Sequence, residues 1–299
     1  MRRRFVTLDV FTDRRFTGNP LAVVHDAENL ETATMQAIAR EFGHPETVFV
    51  LPADDAAHRA RLRIFTPGRE LAFAGHPTVG TAVSLALVDG GAHAREMVFG
   101  EGIGPVRCAV APLGRDHGHA SFAVPKLPEE LGPPPKPAAL ASALGIAASD
   151  IGFASFEPGR WSAGNPFVMV PLVDRAALDR CRIVPPDWDA AFNVDGADSV
   201  YMFCRETAEP GRHYQTRMFA PALGVAEDPA TGSAAAAFAG VLARSAGLGD
   251  GDHMALIEQG YAMGRPSLIE LTVTLRDGQL AAATVGGAAV TVTEGHIEA

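Results

Sequence analysis

Two turns of the sequence place a titratable residue beside proline, at matching positions in the two halves of the chain. The first is Gly75-His76-Pro77 and the second is Asp228-Pro229, and each is followed by small residues and an apolar run. Two unlike titratable groups that face one substrate suit acid–base chemistry, because their protonation preferences differ. The pattern predicts that His76 and Asp228 move protons; the alternative is that each is a capping or core residue.

Glu46 is the third candidate, and it lies between the end of a predicted helix and an apolar strand. Burial in a cleft raises the pKa of a carboxyl group, which can then act first as a base and then as an acid. The alternative is an exposed loop residue, since most glutamates are solvated.

The two turns are also candidate anion sites. Proline fits the first turn of a helix, and a helix N-terminus leaves backbone N–H groups unbonded and carries partial positive charge. We expect a carboxylate to bind there, with Thr78, Thr231, Gly232 and Ser233 as local donors. Capped helices that bind no ligand are the alternative.

The halves that carry these turns repeat each other, and matched landmarks in fixed order indicate a duplication. Gly18-Asn19-Pro20 recurs 146 residues later, Glu46 and its strand recur at Asp198 after 152, and the Arg63 segment recurs at Arg217 after 154. We therefore predict two domains, residues 1–118 and 119–299, with the boundary near residues 115–135 and the proline-rich stretch 124–137 as a stiff linker. The sequence leaves open whether the C-terminal segment packs back on the first half.

Strand-like segments outnumber helical ones, which predicts an α+β fold with a strongly curved sheet around one helix in each half. Apolar spacing predicts helices over residues 35–42 and 78–87, the first of them ended by Gly43. Near the C-terminus, residues 269–275 alternate and meet Asp277-Gly278, which is typical of a hairpin turn.

The composition restricts the partners. A formal net charge of −10 argues against nucleic acid. The three cysteines, Cys108, Cys181 and Cys204, show no close spacing of the kind that binds zinc or forms a redox pair, so we expect no metal and a reducing, cytoplasmic setting. Charged residues interrupt every apolar run that is long enough for export or for a membrane span, so we expect no membrane association.

With these residues in hand, the chain resembles the PhzF-like family, which is named for an isomerase of phenazine biosynthesis and has the diaminopimelate epimerase fold. The resemblance covers nearly the whole chain. Its most specific segments are 9–12 (DVFT), 18–22 (GNPLA), 46–49 (ETVF), 63–67 (RIFTP), 73–77 (FAGHP), 227–233 (EDPATGS) and 258–267 (EQGYAMGRPS).

The resemblance implies two pseudo-symmetric domains, each a barrel-like mixed sheet around a central helix, with the active site in the cleft between them, no cofactor, and a homodimer. It implies that Glu46 moves a proton between carbons of a small carboxylic acid and that His76 and Asp228 assist. The residues expected to bind the substrate are Asn19, Gly75, Pro77, Thr231, Gly232 and Ser233.

Two departures from the family pattern bear on the reaction. Pro45 precedes Glu46 where serine is common, which affects the hydrogen bonds of the carboxylate. Neither turn contains the cysteine that racemase relatives use, which disfavours two-thiol chemistry. Proton-shifting isomerisation is thus the main prediction. The alternatives are epimerisation of an amino-acid-like substrate and a catalytically inactive small-molecule binding protein of the same fold.

Overall fold

The computed structural model describes residues 1–91, 93–192 and 199–299, and it divides into two compact units. The first unit comprises Met1–Pro125 and Val285–Ala299, and the second unit comprises Lys126–Thr284. The chain thus leaves the first unit after residue 125 rather than after residue 118, and its last segment returns to that unit. Asp198, a landmark of the predicted repeat, lies outside the described residues.

Strands account for most of the regular structure. In chain order they are β1 (Arg2–Val10), β2 (Asn19–Val24), β3 (Glu46–Leu51), β4 (Ala60–Phe65), β5 (Glu70–Leu71), β6 (Arg95–Glu101), β7 (Gly104–Pro112), β8 (His117–Ala123), β9 (Glu129–Glu130), β10 (Gly159–Ser162), β11 (Pro166–Pro171), β12 (Val200–Cys204), β13 (Tyr214–Ala220), β14 (Val225–Asp228), β15 (Gly251–Gln259), β16 (Ser267–Arg276) and β17 (Gln279–Glu298).

The α-helices of the described residues include one long helix in each unit. They are α1 (Thr32–Phe42), α2 (Gly75–Asp89), α3 (Pro137–Leu144), α4 (Arg175–Arg180), α5 (Pro185–Phe192) and α6 (Gly232–Ser245). None of the helices in the described ranges is long and apolar enough to cross a membrane.

The first unit is a ring of eight hydrogen-bonded strands. β17, β1 and β2 pair antiparallel, β2 and β3 parallel, and β3 and β4 antiparallel. β4 then pairs parallel with β6, β6, β7 and β8 pair antiparallel, and β8 meets β17 to close the ring. The predicted curved sheet of the first half is therefore a closed barrel.

Helix α2 fills this barrel. Its residues from Gly75 to Ala86 are all buried, and it contacts five of the strands, as expected for a helix that is apolar on every side. At Gly80 the helix lies very close to strands β1 and β2. A Cβ atom there would lie 2.5 Å from Leu21 Cδ2 and 2.7 Å from Val10 Cγ2. Only glycine fits at this point between helix and strands.

The second unit repeats the pairing pattern. Two pairs of strands are parallel, β11 with β12 and β13 with β15. Two pairs are antiparallel, β12 with β13 and β15 with β16. Its long helix α6 is buried from Gly232 to Leu242, except for the half-buried Ser233. The fold class is α+β, as predicted. Helices α3, α4 and α5 add a separate apolar cluster, centred on Trp188 and Phe192.

Local predictions hold at two turns and need revision at the proline-rich stretch. Gly43 ends α1 in the left-handed conformation with φ 63°, and Asp277 and Gly278 both have positive φ between β16 and β17, as a type I′ hairpin requires. The stretch 124–137, predicted as a linker, contains the short strand β9 and ends at the first residue of α3.

The contact at Gly80 predicts the effect of adding one methyl group. Gly80→Ala should lower the free energy of unfolding by about 1–3 kcal/mol, because Leu21 and Val10 must move to admit the Cβ atom. Urea unfolding measures this change. Gly68→Ala is the control, since a Cβ atom at Gly68 meets nothing closer than 3.7 Å; equal effects of the two substitutions would contradict the close packing.

Candidate active site

Glu46 and Asn19 are brought to one end of the first barrel by the pairing of two parallel strands. Asn19 is the first residue of β2 and is fully buried, and Glu46 is the first residue of β3. The register pairs Leu21 with Glu46, so the two strands begin at the same end of the sheet. Glu46 thus lies at a strand start rather than in an exposed loop, and 16% of its side chain is exposed.

His76 meets Glu46 at this end of the barrel. It is the second residue of α2, and its Nε2 lies 3.3 Å from Glu46 Oε2. The imidazole also hydrogen-bonds to the backbone of Pro20, where only the carbonyl oxygen can take part because proline has no N–H. The ring is therefore held between a fixed carbonyl and the carboxyl group.

The surroundings decide the charge of His76. The pKa of His76 is lowered to about 3, chiefly by burial and to a smaller extent by the nearby His44, and the hydrogen bond to Pro20 opposes this lowering. His76 is therefore neutral at pH 7, and its single proton belongs on the nitrogen that faces Pro20. Nε2 is then left unprotonated at 3.3 Å from Glu46 Oε2, a contact that does not meet hydrogen-bond geometry in the structure.

A second carboxyl group supports the turn that carries His76. The Thr78 hydroxyl lies 2.8 Å from both the Ala74 carbonyl oxygen and Glu101 Oε1. Burial raises the pKa of Glu101 to about 8, against the lowering effect of the Thr78 hydroxyl. Glu101 is not among the site residues predicted from the sequence. The available signal was strand alternation, since Met97, Phe99 and Glu101 all point inward from β6.

In the second unit, Asp228 ends β14 and is 7% exposed. The Thr231 hydroxyl donates to Asp228 Oδ2 at 2.6 Å. Gln259 holds the same turn: its Nε2 donates to the Asp228 carbonyl at 2.8 Å and to Thr231 Oγ1 at 2.9 Å, and its Oε1 accepts from the Thr231 N–H at 3.1 Å. Gln259 belongs to the segment 258–267 of the family pattern, but no role was predicted for it from the sequence.

The two turns enter their helices differently. His76 and Pro77 lie inside the first turn of α2, as predicted, whereas α6 begins only at Gly232. The prediction of a proline in the first helical turn is therefore wrong for Pro229. Asp228 is still strand, paired with Met218 of β13, and this pairing delays the start of the helix.

The predicted site residues thus form two groups, one in each unit. The first contains Asn19, Glu46, Gly75, His76 and Pro77. The second contains Asp228 and Thr231, followed by Gly232 and Ser233, the first two residues of α6. The opening N–H groups of such a helix have no intrahelical acceptor and suit an anion.

Neither group contains a set of residues placed to bind a metal ion, and neither contains a cysteine. Within the described ranges, no three His, Cys, Asp or Glu residues are placed to hold a metal ion. The three cysteines are buried and unbridged. Burial raises the pKa of the Cys181 and Cys204 thiols to about 12 and that of Cys108 higher still, so none supplies a thiolate at neutral pH.

The raised pKa of Glu101 predicts a pH-dependent stability. Between about pH 4.5 and 8 the folded state keeps a proton that the unfolded state has lost, so stability falls as pH rises through this range. Glu101→Gln should remove a decrease of about 1–4 kcal/mol between pH 5 and pH 8, measured by urea unfolding. Glu96→Gln, on the exposed face of the same strand, is the control. An unchanged pH dependence in Glu101→Gln would contradict the assignment.

Comparison with known proteins places this geometry in a family. The model of the PhzC-PhzF family, phenazine biosynthesis-like proteins, matches residues 8–295. An uncharacterized isomerase of Mesorhizobium japonicum is 47% identical over 99% of this chain and 98% of its own. Trans-2,3-dihydro-3-hydroxyanthranilate isomerase of Pseudomonas aeruginosa is 34% identical over 98% of each chain.

A solved structure gives the same result. The PhzF-family phenazine biosynthesis protein of Bacillus anthracis superimposes with a TM-score of 0.89 at 25% identity, covering 100% of both chains. The chain is therefore an isomerase-type enzyme that belongs to the phenazine biosynthesis-like (PhzC-PhzF) family.

Proposed function

We propose that the protein is a cofactor-independent isomerase that shifts a proton between two carbons of a small, unsaturated carboxylic acid. The observation that carries the proposal is the contact of 3.3 Å between Glu46 Oε2 and Nε2 of the buried, neutral His76. A carboxylate next to a neutral imidazole can accept a proton and keep it within a hydrogen bond.

Glu46 is the acid–base of this proposal. Its carboxylate removes a proton from a carbon next to an electron-withdrawing group, the double bond shifts, and the same carboxyl group returns the proton to a different carbon. The reaction is balanced without an oxidant, a reductant or a second substrate. Such a positioned acid–base contributes about 10²–10⁴ in rate.

His76 orients the protonated carboxyl group and does not carry the proton away. With its pKa lowered to about 3, the imidazole is too weak a base to hold a proton at neutral pH. Its hydrogen bond to Pro20 sets the direction of the Nε2 lone pair. The proton therefore stays on Glu46 and returns to the substrate, which favours transfer within one molecule over exchange with water.

The group in the second unit supplies charge stabilisation in this proposal. The opening N–H groups of α6 at Gly232 and Ser233 would bind the substrate carboxylate, and Asp228 would hold a polar group of the substrate. That both groups act on one substrate is inferred from the internal repeat and from the family. Loss of one such donor typically costs about 10²–10³ in rate.

The substrate class follows the relatives. The Pseudomonas aeruginosa enzyme is named for trans-2,3-dihydro-3-hydroxyanthranilate, an unsaturated cyclic amino acid with a carboxylate. We propose a substrate of this class, a small acid whose double bond can shift into conjugation. The probes are therefore trans-2,3-dihydro-3-hydroxyanthranilate and a panel of small β,γ-unsaturated carboxylic acids in D₂O.

Glu46→Gln should lower kcat by at least about 10², because the amide cannot accept the proton. The measurement is product formation by NMR on the probe that the wild type converts. Glu41→Gln is the matched control, since Glu41 is exposed on α1. Undiminished turnover in Glu46→Gln would rule out its role as the base.

Two substitutions of His76 separate its two nitrogens. Asn places an N–H near the Nδ1 position and can retain the bond to the Pro20 carbonyl, whereas Gln reaches the Nε2 position and can retain the contact with Glu46. His76→Gln should therefore keep more activity than His76→Asn, by about tenfold, and His76→Asn should have the higher Tm. Equal kcat values for the two variants would show that the contact with Glu46 does not matter.

A further inference from the structure

Glu101 and Gln259 occupy the same position in the duplicated units. Each is the last residue of a strand, Glu101 of β6 and Gln259 of β15. β6 runs parallel to β4 with Arg61 opposite Gly100, and β15 runs parallel to β13 with Gln215 opposite Glu258. The repeat relates β4 to β13 by 154 residues, so the two registers put Glu101 and Gln259 at equivalent sites.

Both side chains turn inward and hydrogen-bond to the segment that enters the long helix of their unit. Glu101 Oε1 accepts from the Thr78 hydroxyl in α2, two residues after His76. Gln259 bonds to the Asp228 carbonyl and to both the hydroxyl and the N–H of Thr231, just before α6. Each polar strand end thus touches the turn that carries a proposed catalytic residue.

The residue that follows each strand shows a second, independent correspondence. Gly102 follows Glu101, and a Cβ atom there would lie 2.8 Å from the Cα atom of Ala72. Gly260 follows Gln259, and a Cβ atom there would lie 2.6 Å from the Pro229 carbonyl oxygen. Ala72 and Pro229 each lie three residues before the first residue of their helix. In both units the backbone after the strand therefore lies against the segment that precedes the long helix.

We propose that Glu101 and Gln259 are equivalent positioning residues, which fix the helix-entry turns that carry His76 and Asp228. That the two residues affect catalysis rests on the proposed function, whereas their hydrogen bonds to the turns do not depend on it. Neither touches the substrate in this proposal. Each acts through the turn, by holding His76 toward Glu46 in one unit and the Asp228 carboxylate against Thr231 in the other.

Glu101 and Gln259 differ in the hydrogen bonds that they must donate and accept. Gln259 must donate twice from Nε2 and accept once at Oε1, which only an amide can do at this length. Glu101 accepts from Thr78 with one oxygen, while its buried Oε2 has no hydrogen-bond partner. An amide can therefore replace Glu101. An apolar side chain at position 259 leaves the buried Thr231 N–H without its acceptor, and at position 101 it removes one of the two partners of the Thr78 hydroxyl.

The first experiment measures the turn of the second unit without any substrate. In Gln259→Leu the Thr231 N–H loses its acceptor, so its hydrogen exchange should be faster by about tenfold to a hundredfold. Gln36→Leu is the matched control, because Gln36 bonds to the Thr66 and Pro67 carbonyls and belongs to the first unit, whereas Thr231 belongs to the second. If Gln259→Leu does not fold, the shorter Gln259→Asn makes the same test. Unchanged exchange at Thr231 would overturn the proposal.

The second experiment applies the same logic to the first unit. Glu101→Leu should speed exchange of the Thr78 N–H, which bonds to the Ala74 carbonyl, and Glu101→Gln should restore slow exchange. If both variants exchange like the wild type, Glu101 does not hold the turn. If Glu101→Gln exchanges as fast as Glu101→Leu, the bond from Thr78 is not what holds it.

Activity then distinguishes positioning from stability alone. At a temperature where every variant is folded, Gln259→Leu and Glu101→Leu should lower kcat at least tenfold on the probe that the wild type converts, with KM changed less, and Glu101→Gln should recover most of that loss. Faster exchange with an unchanged kcat would reduce both residues to a structural role. If the wild type converts no probe, the proposed function fails, while the exchange results still decide whether the turns are held.

Discussion

The site in the first unit depends on a buried histidine that is neutral at pH 7. His76 lies inside a closed barrel, where burial outweighs every interaction that would favour its protonated form. Its one proton points to a carbonyl of the adjacent strand, and its other ring nitrogen lies 3.3 Å from Glu46 Oε2. Moving either strand by one residue would take the carbonyl or the carboxyl group away from the ring, so the register of β2 and β3 is part of the site.

The two units use one scaffold for two kinds of polar group. The same strand end carries a carboxyl group in one unit and an amide in the other, and the same helix-entry segment carries a histidine in one and an aspartate in the other. A duplication thus allows acid–base properties to differ between units while the backbone pairing stays the same.

The parts of the structure that depend on local pattern were predictable from the sequence. Alternation, turn residues and the repeat led to the α+β class, to the end of α1 at Gly43 and to the hairpin at Asp277 and Gly278. Pro229 was misread because a proline after a polar residue marks a helix start only when no strand pairing holds that residue back, and Asp228 is paired. Glu101 was missed because the strand register decides whether a carboxyl group on β6 faces the barrel interior or the solvent, and the residue type is the same in both cases.

The last strand of the ring has a consequence for the order in which the protein can fold during synthesis. β17 lies between β1 and β8 and pairs with both, yet its residues from 285 onward are made after the entire second unit. Until then β1 and β8 are open edges, which are templates for pairing with other chains. The barrel that contains Glu46 and His76 therefore cannot close before residues 285–298 have been made. A chain stopped before them would present two unpaired edges and an unsealed core, so premature termination here favours aggregation over a stable half-protein.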